Sequence, residues 1–246
     1  MLKASELIKN NQVPEKEKGV YCLIGQAEDG TVHFCDITKV RHMLVGGCSG
    51  SGKTVFLHGV ILSLMMNYTP DEVGFILLDT KHHAEFVVYD NLPHLVGTEL
   101  KVAEKEMERR FNVWKIGKQY KPLVVIIDEY AELSYNKEEK ESVEKLLRFG
   151  HGVGIHVILA TQRVAQDVIT PPMKAQLTTI VTCRLADKRD SRFVLGKWGA
   201  EKLLGNGDIL YKNNGEEIIR VQAGYVESKA IQEASQRIMK KYEKGV

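Results

Sequence analysis

Residues 47–54 read GCSGSGKT and satisfy the pattern GxxxxGK[ST] at every fixed position. Glycines let such a loop curl so that successive N–H groups point inward at phosphate oxygens, and the helix that follows adds the positive end of its dipole. Lys53 would supply a cation for the β- and γ-phosphates, and the Thr54 hydroxyl would ligate Mg²⁺. The predicted phosphate-binding residues are Gly47, Cys48, Ser49, Gly50, Ser51, Gly52, Lys53 and Thr54. The pattern indicates a site for a nucleoside triphosphate with magnesium.

Two adjacent acids, Asp128 and Glu129, follow the apolar run at residues 123–127. Hydrolysis of a phosphate anhydride needs charge neutralisation on the leaving oxygens and a positioned water nucleophile. We expect Asp128 to hold Mg²⁺, directly or through water, and Glu129 to orient and deprotonate the attacking water. The glutamate separates a hydrolase from a kinase-like or GTPase-like use of the same loop. The alternative is a solvated acid pair at a strand end.

A third apolar run at residues 156–160 ends in Thr161 and Gln162. Gln162 is placed to contact the γ-phosphate or the attacking water, and so to report hydrolysis to the rest of the domain. The alternative is a glutamine that caps a turn.

An arginine delivered from a neighbouring subunit raises the rate of phosphoryl transfer by about 10³–10⁵. The candidates here are Arg109, Arg110, Arg184, Arg189 and Arg192. Sequence alone does not choose among them, and a surface salt bridge is an equal alternative for each.

The elements that must position these residues alternate between strand and helix. Apolar runs predict strands at 20–24, 31–36, 43–45, 74–78, 123–127, 156–160, 179–183, 208–211 and 218–221. Helical periodicity predicts helices at 54–66, 101–117, 137–149 and 228–244. Asp29-Gly30 marks a hairpin between the first two strands. Strands that are apolar on both faces indicate an α/β fold with a mostly parallel central sheet flanked by helices, whose ligands bind at the carboxyl ends of the strands.

Composition excludes several other classes of protein. The chain has 246 residues, 43% of them hydrophobic and 27% charged, which excludes disorder for most of it. The net charge of +2 neither requires nor forbids a nucleic-acid partner. Its four cysteines have no zinc spacing, and His82-His83 has no surrounding HExxH pattern. Few thiols, no leader peptide and no apolar run of about 18 residues predict a cytoplasmic location.

Several stretches together resemble the motor domain of the FtsK/SpoIIIE family of DNA translocases. The resemblance extends from about residue 42 to residue 225. The stretches that carry it are HMLVGG at 42–47, NLPHL at 91–95, EMERRF at 106–111, DEYAEL at 128–133, GIHVILATQR at 154–163, DVIT at 167–170, DSR at 190–192 and GAEKLLGNGD at 199–208.

The resemblance implies a RecA-like P-loop NTPase that hydrolyses ATP with Mg²⁺ and assembles around duplex DNA as a homo-oligomeric ring, usually a hexamer, with ATP between subunits. It assigns the family's catalytic roles to Lys53, Thr54, Asp128, Glu129 and Gln162. For the trans-acting arginine it favours Arg110 and then Arg192. Residues 163–174 are the expected DNA-gripping loop, with contacts to the backbone and little sequence specificity.

The implied organisation is an N-terminal arm and small β-hairpin at 1–40, a motor domain at 41–226 and a C-terminal helix at 227–246. Because few residues flank the motor, it resembles the minimal motors of plasmids, integrative elements and phages that move DNA during conjugation or other transfer. A membrane or transfer-machinery partner is a further expectation. The alternative function keeps the fold but changes the cargo: a type VII secretion-like ATPase that drives protein export.

Overall fold

The computed structural model describes residues 2–14, 19–80, 84–115 and 119–243, which form a sheet with helices on both faces. The strands are β1 (Tyr21–Ala27), β2 (Val32–Asp36), β3 (Met43–Gly46), β4 (Gly74–Asp79), β5 (Leu95–Gly97), β6 (Leu123–Asp128), β7 (Ile155–Thr161), β8 (Thr179–Thr182), β9 (Asp208–Asn213) and β10 (Ile219–Gln222). The helices are α1 (Ala4–Asn10), α2 (Lys53–Asn67), α3 (Leu100–Asn112), α4 (Tyr130–Leu133), α5 (Lys137–Phe149), α6 (Pro171–Gln176), α7 (Lys188–Leu195) and α8 (Ser228–Glu243).

Ten strands lie in the order β2-β1-β10-β9-β8-β3-β7-β6-β4-β5. From β8 to β5 every neighbouring pair is parallel, whereas β9, β10, β1 and β2 extend the sheet with antiparallel pairs. The predicted mostly parallel central sheet is confirmed. Since β7 lies between β3 and β6, the exits of these three strands share one edge of the sheet.

The N-terminal hairpin has the predicted turn, because Gly30 adopts the left-handed φ of 88° that glycine accommodates without strain. The hairpin is not a separate sheet, because the free edge of β1 pairs with β10, with Gln26 opposite Gln222. The hairpin therefore extends the central sheet. The division of the chain at residues 40 and 226 stays a prediction.

Two hydrophobic cores lie on opposite faces of the sheet. Along β3, Met43 and Val45 face the core built with α1, α2 and α8, whereas Leu44 faces the core built with α3, α5 and α7. The same alternation along β4, β6 and β7 explains why these strands are apolar at nearly every position. The central strands are thus fixed from both sides, which makes their carboxyl ends a rigid base for a site.

Helix α3 ends at Asn112, so the predicted helix at 101–117 is too long. The helical spacing that predicts this helix continues from Met107 through Phe111 to Trp114, but Trp114 lies beyond the helix and is 52% exposed. The buried face consists instead of Leu100, Ala103, Met107 and Arg110. Spacing identified a helix here but not its end, because the apolar residues at the predicted last turns, Phe111 and Trp114, are 44% and 52% exposed and gain little from burial. Gly117 and Lys244, the predicted ends of α3 and α8, lie outside the described residues.

None of the helices in the described ranges is long and apolar enough to cross a membrane. In those same ranges no group of three or more His, Cys, Asp or Glu residues is arranged to hold a metal ion. His82-His83, which the sequence raised as a weak metal motif, lies outside the described residues.

Two histidines, His42 and His156, are buried at the amino-terminal ends of β3 and β7, opposite the edge where these strands end. The Nδ1 atom of His42 accepts the Val157 N–H at 2.9 Å, and the ring of His156 contacts the backbone carbonyls of Val40 and Arg41. Burial lowers the pKa of His42 to about 3 and, with a smaller contribution from His151, that of His156 to about 4. Both rings are therefore neutral in the folded chain at pH 7.

We predict that acid destabilises the fold through these two histidines. Between about pH 4 and about pH 6.5 the unfolded chain binds more protons than the folded one, so the free energy of unfolding rises with pH by about 1.4 kcal/mol per pH unit for each histidine. Chemical denaturation across this window should show that slope. His42→Asn, whose side-chain oxygen can still accept from Val157, should make it shallower; an unchanged slope in this variant would contradict the prediction.

Candidate nucleotide-binding site

The phosphate loop connects the end of β3 to the start of α2, as the sequence predicted. Gly50 and Gly52 have φ values of 70° and 105°, in the left-handed region that glycine adopts without strain. Gly47 has a different reason to be glycine: a Cβ there would lie 2.5 Å from Ser51 Oγ and 2.8 Å from Cys183 Cβ. The loop thus has its compact form because three positions have no side chain.

Lys53 is buried within this loop. Its ammonium donates hydrogen bonds to the carbonyl oxygens of Gly47, at 2.8 Å, and Cys48, at 3.3 Å. Burial lowers its pKa from the ordinary value, while the carboxylates of Glu129 and Asp128 oppose the shift. The loop therefore encloses a cation directly beside amides that suit an anion.

Thr54, at the start of α2, and Asp128, at the end of β6, are brought together at this edge of the sheet. The Thr54 hydroxyl donates to Asp128 Oδ2 at 3.1 Å, and Asp128 is only 2% exposed. Hydroxyl and carboxylate oxygens are the hard ligands that Mg²⁺ takes together with water, so this pair fits the ion that the sequence expected. Asp79 lies opposite Asp128 in the register of β4 and β6 and adds a carboxylate to the same edge, where the sequence placed it without an individual role.

Glu129 adopts a strained backbone conformation next to Asp128. Its φ of 67° and ψ of 68° are left-handed, and the other non-glycine residues with positive φ in the described ranges are two asparagines, which tolerate it better. The side chain is 5% exposed and its carboxylate accepts hydrogen bonds from Thr161 Oγ1 at 3.0 Å and from the Gln162 N–H at 3.1 Å. The chain thus holds this carboxylate in one orientation at a conformational cost.

Gln162 reaches the site through its backbone rather than its side chain, which is exposed. The hydroxyl that contacts Glu129 belongs to Thr161, which the sequence places at the end of a strand in the predicted active-site edge but to which it assigns no individual role. The available signal was a polar residue as the last member of a buried strand, one position before the glutamine.

Arg110 is 3% exposed and lies inside its own chain. Its guanidinium donates to Glu106 Oε1 and to the carbonyl oxygens of Val153 and Gly154. This burial leaves no surface from which Arg110 reaches a neighbouring subunit, so its favoured place as the trans-acting arginine is not supported. Arg192, on α7, is exposed.

A second glycine turn lies against the phosphate loop, and the sequence reasoning gave it no position in the site. Gly205, Asn206 and Gly207 all have positive φ, and the Gly207 N lies 3.5 Å from where a Cβ of Gly52 would be. Asp208 fixes this turn by accepting hydrogen bonds from the Leu204 N–H and the Arg220 guanidinium. Burial alone would raise the Asp208 pKa, but these donors hold it below its ordinary value.

Comparison with known proteins agrees with this geometry. The family model described as "FtsK/SpoIIIE family" matches residues 5–115. The DNA translocase FtsK of Haemophilus influenzae is 32% identical over 279 residues, an alignment that covers 92% of this chain and 53% of that protein. The FtsK of Streptococcus pneumoniae is 36% identical over 239 residues, covering 82% of this chain and 31% of that protein. The chain belongs to the FtsK/SpoIIIE family. It spans between about a third and about half the length of these two relatives.

Solved structures share the fold of this FtsK/SpoIIIE chain. The conjugation coupling protein TcpA of pCW3, in its monomer form with ATPγS, superposes with a TM-score of 0.75 at 24% identity, covering 92% of this chain and 71% of TcpA. The cytoplasmic domain of the type VII secretion ATPase EccC from Thermomonospora curvata gives a TM-score of 0.79 at 24% identity, covering 93% of this chain and 32% of EccC. The predicted RecA-like P-loop fold is confirmed.

We predict that Gly47→Ala disrupts the phosphate loop. The new Cβ collides with Ser51 and Cys183, so either the loop opens or β8 shifts, and nucleotide affinity should fall at least tenfold, a loss of about 1.4 kcal/mol. The matched control is Gly152→Ala, since a Cβ at Gly152 meets nothing within 4 Å. Titration with a fluorescent ATP analogue measures both variants. Equal affinities would contradict the prediction.

Proposed function

We propose that this chain is an ATP-hydrolysing motor that moves DNA through a ring of its own copies. The observation that carries the proposal is the meeting of Thr54, Asp128 and Glu129 beside the phosphate loop. The FtsK relatives of 32–36% identity are named DNA translocases, which supports DNA as the cargo. A hexameric ring with ATP between subunits, a cytoplasmic location and a transfer-machinery partner are parts of the same proposal.

In the proposed reaction the loop amides and the Lys53 ammonium bind the triphosphate. Lys53 would exchange its bonds to the Gly47 and Cys48 carbonyls for phosphate oxygens. Thr54 and Asp128 would hold Mg²⁺, which neutralises charge on the β- and γ-phosphates when bound. Glu129 orients the attacking water and accepts its proton, and Arg192 is the candidate for the arginine that a neighbouring subunit supplies.

The segment first expected to grip DNA, residues 163–174, uses its two cations internally. Arg163 pairs with Asp167 and also contacts the Tyr135 hydroxyl. The Lys174 ammonium donates to the Phe193 carbonyl and lies 4.4 Å from the centre of the Phe193 ring. Neither cation is freely presented to phosphate.

A neighbouring surface is better suited to the DNA backbone. We name it the Trp198 surface: Trp198 together with the exposed lysines Lys188, Lys197 and Lys202. The Trp198 ring is 64% exposed and the Lys188 ammonium lies 5.9 Å from its centre. Exposed lysines around an aromatic ring supply sequence-independent contacts, as a motor that crosses any sequence requires.

The alternative, protein export, has weaker support. The likeness to EccC at 24% identity concerns the fold, and TcpA has the same identity and a similar TM-score. Binding of a helical export signal, with no response to DNA, would favour the alternative.

We predict that duplex DNA stimulates ATP hydrolysis at low salt and that the stimulation weakens steeply as salt rises. Glu129→Gln should retain ATP binding and lose hydrolysis, whereas Lys53→Ala should lose binding itself. Coupled-enzyme ATPase assays, nucleotide titration and particle mass with and without DNA measure these effects. An ATPase rate indifferent to both duplex and single-stranded DNA would refute the motor, and equal loss of binding in the two variants would refute the assigned roles.

We predict that Lys197→Ala combined with Lys202→Ala weakens DNA binding and lowers the slope of log affinity against log salt by about one for each phosphate that the variant no longer neutralises. ATP turnover without DNA should be unaltered. The matched control is Lys137→Ala, because the Lys137 side chain on α5 is 89% exposed. Fluorescence anisotropy with a labelled duplex makes the measurement. If both sets of variants bind DNA equally, the Trp198 surface does not bind the duplex.

A further inference from the structure

Thr161 contacts both halves of the proposed catalytic site. It is the last residue of β7, the strand between the one that leads to the phosphate loop and the one that ends in the acid pair. Its side chain is fully buried, so its hydroxyl must find hydrogen-bond partners inside the protein.

The Thr161 side chain contacts the proposed base. Its Oγ1 lies 3.0 Å from Glu129 Oε1 and accepts the Arg163 N–H at 3.2 Å. The hydroxyl has one proton and two acceptors within reach, Glu129 Oε1 at 3.0 Å and the Arg163 carbonyl oxygen at 3.4 Å. The carboxylate is both nearer and charged, so the proton points at Glu129. Together with the Gln162 N–H, which is shared between the two carboxylate oxygens, this donor fixes the plane of the carboxylate and leaves acceptor capacity for a water.

The Thr161 backbone contacts the phosphate loop. Its carbonyl oxygen accepts the N–H of Gly47, the first loop residue, at 3.3 Å, and Thr161 lies opposite Gly46 in the register of β3 and β7. One residue therefore joins the first residue of the phosphate loop to the carboxylate that must act on the bound phosphate. Glu129 needs such a restraint because its left-handed backbone is strained.

We propose that Thr161 is a positioning residue that sets the Glu129 carboxylate relative to the phosphate loop, an inference that rests on the proposed ATPase function. Attack in line with the γ-phosphate depends on the orientation of the water. A chain in which the Glu129 side chain could rotate freely would therefore bind the same nucleotide but hydrolyse it slowly. The effect of Thr161 should therefore fall on kcat and not on nucleotide affinity.

The test compares Thr161→Ser with Thr161→Ala in the full chain with saturating duplex DNA. Both variants lose the buried methyl group, and they differ only in the hydroxyl. Loss of a hydrogen bond to a charged group should lower kcat of Thr161→Ala by about 10- to 100-fold, while Thr161→Ser stays close to wild type. The dissociation constant for ATPγS should be the same in all three proteins.

A double-mutant cycle isolates the partner. Glu129→Gln should leave only a small residual rate, which single-turnover hydrolysis measures. Thr161→Ala should not lower this rate further, because the carboxylate that Thr161 restrains is already lost. Equal losses in Thr161→Ser and Thr161→Ala, a weakened ATPγS affinity that parallels kcat, or additive effects with Glu129→Gln would each overturn the inference. If wild type itself shows no ATP turnover, the proposed function fails; if wild type is active and Thr161→Ala matches it, only this inference fails.

Discussion

The site depends on one hydrogen bond between residues 74 positions apart in the chain: Thr54 Oγ1 to Asp128 Oδ2, at 3.1 Å. It exists because the strand that leads into the phosphate loop and the strand that ends in the acid pair are parallel members of one sheet with a single strand between them. Parallel strands bring their carboxyl ends to the same edge, and buried faces on both sides prevent them from sliding. A triphosphate held by the loop would thus meet the acids without a large rearrangement.

Electrostatics at this edge follows from the same packing. The Lys53 ammonium and the carboxylates of Asp128 and Glu129 are almost fully buried, and isolated charges are unfavourable in such surroundings. The chain meets that cost with local partners: loop carbonyls for Lys53, a hydroxyl for Asp128, and a hydroxyl and an amide for Glu129. Groups that ATP, water and magnesium would contact are already oriented by neighbours in their own chain. Such preorganisation is the main source of catalysis in phosphoryl transfer.

Several residues with left-handed backbone conformations lie around the phosphate site. The left-handed Glu129, the glycines of the phosphate loop and the turn Gly205–Gly207 all lie on this side of the fold, and the Asp208–Arg220 pair holds the last of these in place. The glycines adopt these conformations cheaply, but Glu129 does not, so its conformation must be imposed by the packing around it. The contact of the glycine turn with Gly52 also links the phosphate loop, through β10, to the N-terminal hairpin.

The sequence by itself determined most strands of the sheet, the four longest helices and the residue types from which a nucleotide site could be built. The spacing of the phosphate loop, the doublet Asp128-Glu129 and the apolar strands depend on local chain geometry and burial, which adjacent residues encode. Tertiary structure decided the rest, because those properties depend on which distant segments meet. It placed Arg110 inside its own chain, left Trp114 without a core, assigned the contact with Glu129 to Thr161, and engaged Arg163 and Lys174 internally. A side chain's partners are set by the register of strands and the packing of helices, and no pattern of neighbouring residues reports either.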